Sequence, residues 1–491
     1  MNPRLSKSRI QSGRQCHKRL WLELHESDAS NWTPAAQTRL DEGTRFGELA
    51  HDLLGGGALV AADHMHVREA LSETAALLDR PHTEVPMLFE AAFSHDDVRV
   101  RVDGFQRHSD HDVLIEVKST TSVKDEHLWD CAIQTWVARG AGRNVTRIMH
   151  GHVDNSFVYR TAGDYRGVLK LVDITADVEA LLPEIPGIVA ELKRVAAGAK
   201  PAINTGKHCF EPYECPFLSH CRAEEPPGPE FPIDVLPRVG ALFDRLTEAG
   251  YRDLRDVPES ELTKDLHRRV AEVTRTGSRF VSDQLAGLLA DIPYPRYYLD
   301  FETITFVVPR WLGTRPFQQL PFQFSCHVES EDGTMHHEAF LDVTGASPVE
   351  GFTQQLLNVI TKPGSVVVWN QGFEGARLRE LAERFPGHAE ALLAIVENMV
   401  DLLPIYRAHY YHRDMRGSWS IKSVLPTIAP DLDYGDLEVS GGGEAQEAYL
   451  AASNLVTQAD ERERLRLGLL KYCERDTWAM VRLAKAFHEG V

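Results

Sequence analysis

Three cysteines in a short stretch of the chain constrain the fold most strongly. Cys209, Cys215 and Cys221 follow one another at even spacing, and only four other cysteines occur in 491 residues. One of these, Cys16, stands far upstream in a basic N-terminal segment. Four thiols together can bind a tetrahedral zinc ion or an iron–sulfur cluster. We therefore expect the residues between Cys16 and the trio to form one domain that ends near Cys221.

Composition limits the class of protein. Hydrophobic residues make up 43% of the chain and charged residues 25%, as in ordinary globular domains. No apolar run approaches the roughly 20 residues that span a bilayer, and the N-terminus lacks the apolar segment of a secretory signal. Seven unevenly placed cysteines argue against a disulfide framework. We therefore expect a cytoplasmic protein that does not enter a membrane.

The net charge of −19 is unlike that of most nucleic-acid-binding proteins. Binding depends on local charge, however, and residues 1–20 contain six lysines and arginines and no acid. This segment is either a solvated basic tail or a contact surface for nucleic acid. The apolar residues that follow it favour the second interpretation.

Proline-rich residues 224–232 predict a linker, because they cannot continue a helix or a central strand. The length of the chain agrees with two or three domains. We expect a first domain, a linker with a helical connector, and a second domain, at 1–222, 223–292 and 293–491. Connector helices are predicted at 235–246, 262–275 and 280–289. A spacer is favoured over a DNA-contacting module, because no basic stripe runs along these helices.

Two predicted strands of the first domain carry acids and a lysine. Residues 98–104 and 113–119 have the pattern of a hairpin. Alternation along the second strand puts Glu116 and Lys118 on the same face, and the hairpin brings Asp103 near Glu116. Two carboxylates suit Mg²⁺ or Mn²⁺, and a lysine suits a phosphate or an attacking water. An amphipathic edge strand is the alternative explanation.

These residues occur in an order that resembles the PD-(D/E)XK nucleases. A predicted helix at 39–54 carries His51, Glu90 follows, and Gln134 lies on a later helix. The match is best with the RecB-like branch, and it implies a restriction-endonuclease-like α/β/α domain over residues 1–222. Asp103, Glu116 and Lys118 would then be catalytic, and His51 would be a further metal ligand.

The cysteines extend this resemblance. Members of the RecB-like branch place one cysteine before the nuclease core and three after it, around a 4Fe-4S cluster. That role is implied here for Cys16, Cys209, Cys215 and Cys221, with zinc as the alternative. Two features depart from the usual pattern. The trio has two five-residue gaps rather than a short first gap, and Ala138 stands where a tyrosine usually follows Gln134.

A second constellation of acids lies in the C-terminal half. The predicted strand 297–303 places Asp300 and Glu302 side by side, and buried neighbouring acids repel each other unless a cation neutralises them. A solvated strand face is the alternative. Helix 371–382 turns Glu374 inward, and helix 465–487 carries Tyr472 and Asp476 one turn apart on its apolar side. Four inward acids predict a two-metal site with ions roughly 3.5–4 Å apart.

These motifs resemble those of DEDD-type exonucleases, which implies an RNase H-like α/β domain over residues 293–491. Glu374 departs from the aspartate usual in the second motif, and Tyr472 would position the attacking water. Asp401 is a weaker candidate, either a ligand or a structural acid, and Lys422 can approach a phosphate. The whole chain resembles an uncharacterised bacterial family that joins a RecB-like nuclease domain to a domain of unknown function.

We therefore expect an α/β enzyme that hydrolyses phosphodiester bonds of nucleic acid, with two active sites that use Mg²⁺ or Mn²⁺. Exonuclease action is favoured, and DNA is favoured over RNA. The alternatives are a catalytically inactive iron–sulfur protein that binds nucleic acid, and a metalloprotein that acts on small phosphoesters.

Overall fold

The computed structural model describes residues 5–32, 34–63, 65–432 and 434–487. The chain has a mixed α/β structure and divides into two compact units. Unit 1 comprises Met1–Pro226 with Phe306–Gln318, and unit 2 comprises Pro227–Thr305 with Gln319–Val491. Within the described ranges, no helix combines the length and the apolar character needed to cross a membrane.

Unit 1 is built on a seven-stranded mixed sheet. Six strands follow one another in the order β2-β3-β4-β5-β6-β7, and β1 pairs with β4. Strands β3, β4 and β5 are antiparallel, whereas β5 and β6 are parallel. The strands are β1 (Leu5–Ser6), β2 (Ala58–Leu59), β3 (Met87–His95), β4 (Val98–Arg107), β5 (Asp112–Lys118), β6 (Val145–Val153) and β7 (Leu169–Asp173).

Helices cover both faces of this sheet. The helices are α1 (Lys7–Gln15), α2 (His17–His25), α3 (Pro34–Leu53), α4 (Val67–Leu78), α5 (Asp125–Gly140), α6 (Thr175–Leu181), α7 (Ile185–Ala197) and α8 (Leu218–Glu224). Alternate residues of β5 enter different cores: Leu114 belongs to the same core as Ile133 of α5, whereas Ile115 belongs to the same core as Phe46 of α3. The period of two along β5 therefore produces a helix–sheet–helix sandwich. The predicted hairpin is present and is longer than expected, because β4 continues to Arg107.

The main sheet of unit 2 has five strands in the order β11-β10-β9-β12-β13, and β8 pairs with β14 in a separate ribbon. Strand β10 is antiparallel to both β9 and β11, whereas β9, β12 and β13 run parallel. The strands are β8 (Arg279–Val281), β9 (Arg296–Ile304), β10 (Leu320–Glu329), β11 (Met335–Leu341), β12 (Ser365–Val368), β13 (Met399–Asp401) and β14 (Tyr410–His412).

The longest helix of unit 2, α18, packs against β9 and β10. It begins at Ala459, earlier than the predicted start at 465. The first turns are polar and therefore escaped the pattern of apolar residues, although acids there favour the positive N-terminus of a helix. The helices are α9 (Ala241–Glu248), α10 (Asp265–Thr276), α11 (Leu285–Ala290), α12 (Val349–Val359), α13 (Gln371–Arg384), α14 (Ala389–Glu397), α15 (Leu402–His409), α16 (Ile421–Val424), α17 (Gly442–Ala452) and α18 (Ala459–Lys485).

Two connector predictions need correction. The helix predicted at 280–289 is wrong in its first part, since Arg279–Val281 form β8 and pair with β14. Aromatic and β-branched residues suit either state in a short apolar run, and a remote strand partner decided the outcome. The helix predicted at 235–246 begins only at Ala241, after Gly240 in a positive-φ conformation.

Candidate functional site

Three acids converge on one face of β9 in unit 2. Asp300 and Glu302 lie two residues apart on this central strand, and Asp476 comes from α18, which covers it. One carboxylate oxygen from each residue lies within 4.8 Å of the other two. Glu302 is 9% exposed and Asp476 is 7% exposed, so little water solvates the group. The structure thus brings together three of the four acids that the sequence assigns to one site.

Burial and mutual repulsion raise the pKa values of these acids. Burial, followed by the charges of Asp476 and Glu302, raises the pKa of Asp300 well above its ordinary value. Burial and the charge of Asp476 raise the pKa of Glu302 to about 8. Burial also raises the pKa of Asp476, to about 6, against hydrogen bonds from tyrosine hydroxyls and the nearby Lys422 ammonium group. A divalent cation would relieve this repulsion.

The fourth predicted acid, Glu374, lies in the first turn of α13 and is 3% exposed. Burial, followed by the charge of Asp401, raises its pKa to about 8 against a local backbone hydrogen bond. Its charge contributes to the raised pKa values of Asp300 and Glu302, so it lies near the cluster. Within the described part of the chain, its Oε2 is buried without a hydrogen-bond partner. An acid with such an oxygen beside three others fits a cation ligand.

Asp401, the weaker candidate, has a structural role. Its carboxylate accepts hydrogen bonds from the backbone amides of Asn370 and Gln371, both at 3.0 Å, and of Leu403 at 2.9 Å. It therefore caps α15 and also fixes the start of α13. Because Glu374 lies in the first turn of α13, Asp401 positions that acid.

Two tyrosines and a lysine surround Asp476. The Tyr434 hydroxyl donates to Asp476 Oδ1 at 2.5 Å, and Tyr472, one turn earlier on α18, also bonds to this carboxylate. Lys422 Nζ donates to the Tyr472 hydroxyl at 3.1 Å and to the Ser440 carbonyl. Burial, followed by the charge of Asp476, raises the pKa of Tyr472, so its hydroxyl remains a donor. The sequence did not indicate Tyr434, which lies in an irregular segment without a recognisable motif.

Glu116 is the centre of an ionic network in unit 1. Its Oε1 accepts from Lys7 Nζ at 2.7 Å and from Lys118 Nζ at 2.6 Å. Its Oε2 accepts from Gln134 Nε2 at 2.6 Å. Burial alone would raise the pKa of Glu116, but the two ammonium groups outweigh it and lower the pKa far below its ordinary value. Glu116 is therefore ionised, and both of its oxygens have partners.

Asp103 lies beside this network. Its Oδ2 accepts from the amide of Val117 at 2.7 Å, and the pairing of Gly104 with Ile115 places it next to Glu116 in the adjacent strand. Burial, followed by the charge of Glu116, raises the pKa of Asp103 to about 7. The hairpin thus brings the two carboxylates together, with one ionised and the other readily protonated near neutral pH.

His51 is not part of the same compact group. It stacks on Phe89 with ring centroids 4.2 Å apart, and burial lowers its pKa. Among the described residues, its ring nitrogens do not join the oxygens of Asp103 and Glu116 in a set within 4.8 Å. The structure therefore does not place this predicted ligand with the other two.

Sequence reasoning missed two neighbours of Glu116. Lys7 reaches it from the N-terminal helix, and His150 stands opposite it in the β5–β6 ladder. His150 is fully buried, and in the described part of the structure neither of its ring nitrogens has a hydrogen-bond partner. No local pattern marks either residue, because both contacts depend on the pairing of remote segments.

The four predicted cluster ligands line one cavity in unit 1. Cys16 separates α1 from α2, and Gln15 Nε2 fastens this junction to the carbonyls of His208 at 2.7 Å and Tyr213 at 2.8 Å. All seven cysteines lie in described segments and are free thiols. Burial raises the pKa values of Cys215 and Cys221. Among the described residues, no three of the four sulfurs lie within 4.8 Å of one another.

The basic N-terminal segment is part of the fold, so the alternative of a solvated tail is wrong for its described residues. Lys7 bonds to Glu116, the guanidinium of Arg14 lies 3.7 Å from the ring centre of Trp129, and Lys18 pairs with Glu224 at 3.0 Å. Arg19 pairs with Glu23 on its own helix. Arg4 lies outside the described residues.

Comparison with known proteins gives no activity. Residues 297–420 match a family described as a domain of unknown function, DUF2779. The chain is similar to the uncharacterized protein MG366 of Mycoplasma genitalium, with 27% identity over 208 residues, which cover 38% of this chain and 31% of that protein. It is also similar to the uncharacterized protein UU173 of Ureaplasma parvum, with 25% identity over 217 residues, 40% of this chain and 31% of that protein.

The chain therefore spans less than a third of the length of these two relatives. The crystal structure of SSO0001 aligns with 13% identity, covering 38% of this chain and 82% of that chain, at a TM-score of 0.17. At that score the alignment does not bear on the fold. The DUF2779 match includes Asp300, Glu302 and Glu374 and ends before Tyr472 and Asp476.

Proposed function

We propose that this protein is a metal-dependent nuclease whose principal catalytic centre is the acid cluster of unit 2. The observation that carries the proposal is the convergence of Asp300, Glu302 and Asp476, with carboxylate oxygens within 4.8 Å of one another in a poorly solvated site. Carboxylates are the ligands that Mg²⁺ and Mn²⁺ prefer. Four acids gathered without such a cation would destabilise the unit.

The arrangement of each unit is compatible with the proposed families. In unit 2 the first two acids lie on the central strand of a mixed sheet and Asp476 on the helix that crosses it, as expected for an RNase H-like exonuclease domain. In unit 1, Glu116 and Lys118 lie on a strand of a sheet with helices on both faces, as expected for a restriction-endonuclease-like domain.

The acids of unit 2 and the residues around them would have different roles. Asp300, Glu302 and Asp476 would hold Mg²⁺ or Mn²⁺, with Glu374 as a further ligand, and a bound ion would lower the pKa of a water and neutralise charge on a phosphate. Tyr472, held between Lys422 and Asp476, can orient the attacking water. The Lys422 ammonium group can stabilise negative charge on the scissile phosphate.

Unit 1 holds a second candidate site, with Asp103, Glu116 and Lys118 as its catalytic residues. Both oxygens of Glu116 are already engaged, so a metal ion would have to displace Lys7 or Lys118 from Oε1. This observation favours a second candidate function for unit 1 alone, namely nucleic-acid binding without catalysis. The site in unit 2 has no such competing lysine on Asp300 or Glu374 among the described residues.

We propose a 4Fe-4S cluster as the ligand of the four cysteines. A tetrahedral zinc ion with Zn–S bonds of about 2.3 Å holds its sulfurs about 3.8 Å apart. In a 4Fe-4S cluster each thiolate binds a different iron atom, so the sulfurs need not lie as close together as in a zinc site; among the described residues, no three of the four lie within 4.8 Å of one another. Such a cluster would tie the α1–α2 junction to the stretch that ends at Cys221. A brown anaerobic preparation supports this assignment, and a colourless preparation that contains zinc contradicts it.

The decisive experiment measures Mg²⁺-dependent cleavage of end-labelled DNA and RNA by the full chain. Asp300→Asn/Glu302→Gln should reduce cleavage by about a hundredfold or more. Glu116→Gln/Lys118→Met tests unit 1 separately, and unchanged cleavage by that variant would exclude a catalytic role for unit 1 and leave nucleic-acid binding as its candidate function. Labels at either end give the polarity of degradation.

A matched control keeps this experiment specific. Glu331→Gln/Glu338→Gln removes two exposed acids of the β10–β11 hairpin and should leave cleavage unchanged. Circular dichroism establishes that each variant is folded. If neither active-site double variant cleaves less than this control, the proposed nuclease function is wrong.

A further inference from the structure

A second group of potential metal ligands lies elsewhere on the sheet of unit 2. His327 of β10 pairs directly with His337 of β11, and their ring centroids are 4.5 Å apart. Glu474 of α18 approaches them, with its Oε1 3.8 Å from His337 Nδ1. One ligand atom from each of the three residues lies within 4.8 Å of the other two. Two imidazoles and a carboxylate therefore meet at one point, on three different elements.

Hydroxyl groups contact one nitrogen of each ring. His337 Nε2 and Ser325 Oγ are 2.8 Å apart, and His327 Nδ1 and Thr477 Oγ1 are 2.9 Å apart. Ser325 Oγ and Thr477 Oγ1 are themselves 2.7 Å apart. Thr477 Oγ1 also donates to the carbonyl of Glu474 at 3.1 Å. The chain of hydrogen bonds thus ends at a group that can only accept.

This end point fixes the direction of every bond in the chain. A hydroxyl has one proton, and Thr477 uses its proton on the Glu474 carbonyl. Ser325 and His327 Nδ1 must therefore donate to Thr477, and His337 Nε2 must donate to Ser325. Each ring carries its proton on the side of the hydroxyls. The lone pairs of His327 Nε2 and His337 Nδ1 are left available.

A neutral histidine that donates its other N–H to a fixed acceptor is the usual form of a metal ligand. Nitrogen ligands select transition metals over Mg²⁺, and two histidines with one glutamate form a known donor set for zinc with an open fourth position. Tetrahedral zinc would separate the nitrogen and oxygen ligands by about 3.4 Å. The observed 3.8 Å between His337 Nδ1 and Glu474 Oε1 needs only a small side-chain adjustment.

Exposure also suits a site that exchanges with solvent. His327 is buried at 5% exposure, whereas the side chains of His337 and Glu474 are 27% and 49% exposed. An ion can therefore enter from solvent on one side and keep a water ligand. We propose that His327, His337 and Glu474 form a transition-metal site for Zn²⁺, distinct from the acid cluster.

This site has a structural consequence for unit 2. Bound Zn²⁺ would join β10 and β11 to α18 at Glu474, two residues before Asp476 on the same helix. It would thereby restrain the helix that supplies one acid of the first cluster. The proposal does not depend on nuclease activity, because its test measures metal binding and thermal stability.

The test uses the full chain, stripped of metal with a chelator, titrated with Zn²⁺ and analysed for bound metal after gel filtration. Wild type and the neighbouring exposed variant His336→Gln should each retain one more Zn²⁺ per chain than His337→Gln and Glu474→Gln. Binding at the cysteines or the acids is common to all four proteins and cancels in this difference. Zn²⁺ should raise the Tm of the first pair more than that of the second.

Glu474→Gln should leave the fold intact, since this half-exposed side chain is nearly isosteric with glutamine. Thr477→Val should keep the stoichiometry and weaken Zn²⁺ binding by about 10–100-fold, because it removes the hydrogen bond that orients His327. Equal Zn²⁺ content in Glu474→Gln and His336→Gln would overturn the proposal. Unchanged affinity in Thr477→Val would overturn the argument from the hydrogen-bond chain.

Discussion

Glu374→Gln should make the metal-free protein less sensitive to alkaline pH. Burial raises the pKa of Glu374 to about 8 from an ordinary value of 4.5. Between these two values the folded state binds more protons than the unfolded state. Stability therefore falls as pH rises through this window. The stabilisation that comes from the bound proton is fully present only below about pH 4.5. Glutamine keeps the shape of the protonated acid and cannot ionise.

The size of the effect follows from the two pKa values. One pKa unit corresponds to about 1.4 kcal/mol, so ionising Glu374 costs about 1 kcal/mol at pH 5 and about 4 kcal/mol at pH 8. The stability advantage of Glu374→Gln over wild type should therefore grow by about 3 kcal/mol between these pH values. Saturating Mg²⁺ should remove most of the pH dependence in wild type, because a bound cation replaces the proton.

Urea unfolding in EDTA, followed by fluorescence from pH 5 to pH 8, measures this difference. Glu383→Gln is the matched control, since Glu383 lies on the same helix α13 and is exposed. The control should differ from wild type by a constant amount across the range. If Glu374→Gln shows the same flat difference as the control, Glu374 is not a buried acid with a raised pKa.

Lys7→Met should lower the free energy of unfolding by about 3 kcal/mol, because it breaks a buried ion pair with Glu116; Lys124→Met, at an exposed pair, should cost less than about 1 kcal/mol, and equal losses in urea unfolding would contradict this. Cys16→Ser should abolish the visible absorption of the cluster and lower the Tm of unit 1, while cleavage by unit 2 is largely retained. An intact fold in which cleavage by unit 1 and cleavage by unit 2 are both lost would argue against a structural cluster. Tyr434→Phe should weaken Mg²⁺ binding by about 10–100-fold in calorimetric titration, because Asp476 loses a short hydrogen bond, and unchanged affinity would refute this role.

Local patterns in the sequence predicted which side chains share a face. Alternation paired Glu116 with Lys118, which are in contact, and Asp300 with Glu302, whose oxygens converge. Helical spacing turned Asp476 inward, and it is buried. Such predictions succeed because the periods of strands and helices are fixed by backbone geometry and need no knowledge of the rest of the chain.

Other parts of the candidate sites had no local signal. Tyr434 and Lys7 reach the acids from irregular or terminal segments far away in sequence. His51 has the expected helical setting, yet its ring stacks on Phe89 and does not join Asp103 and Glu116 in one compact group among the described residues. The helix predicted at 280–289 began as a strand for the same reason, since its partner β14 lies in another part of the sequence.

The sequence by itself determined the acids, their spacing and the split set of four cysteines. Only the tertiary structure decided that the four thiols line one cavity, that Lys7 donates a hydrogen bond to Glu116, and that His327, His337 and Glu474 lie close together. Strand register and helix packing bring such residues together, and both depend on the burial of many apolar side chains at once. A short stretch of sequence specifies its own period, whereas the partner that it meets is chosen by the whole core.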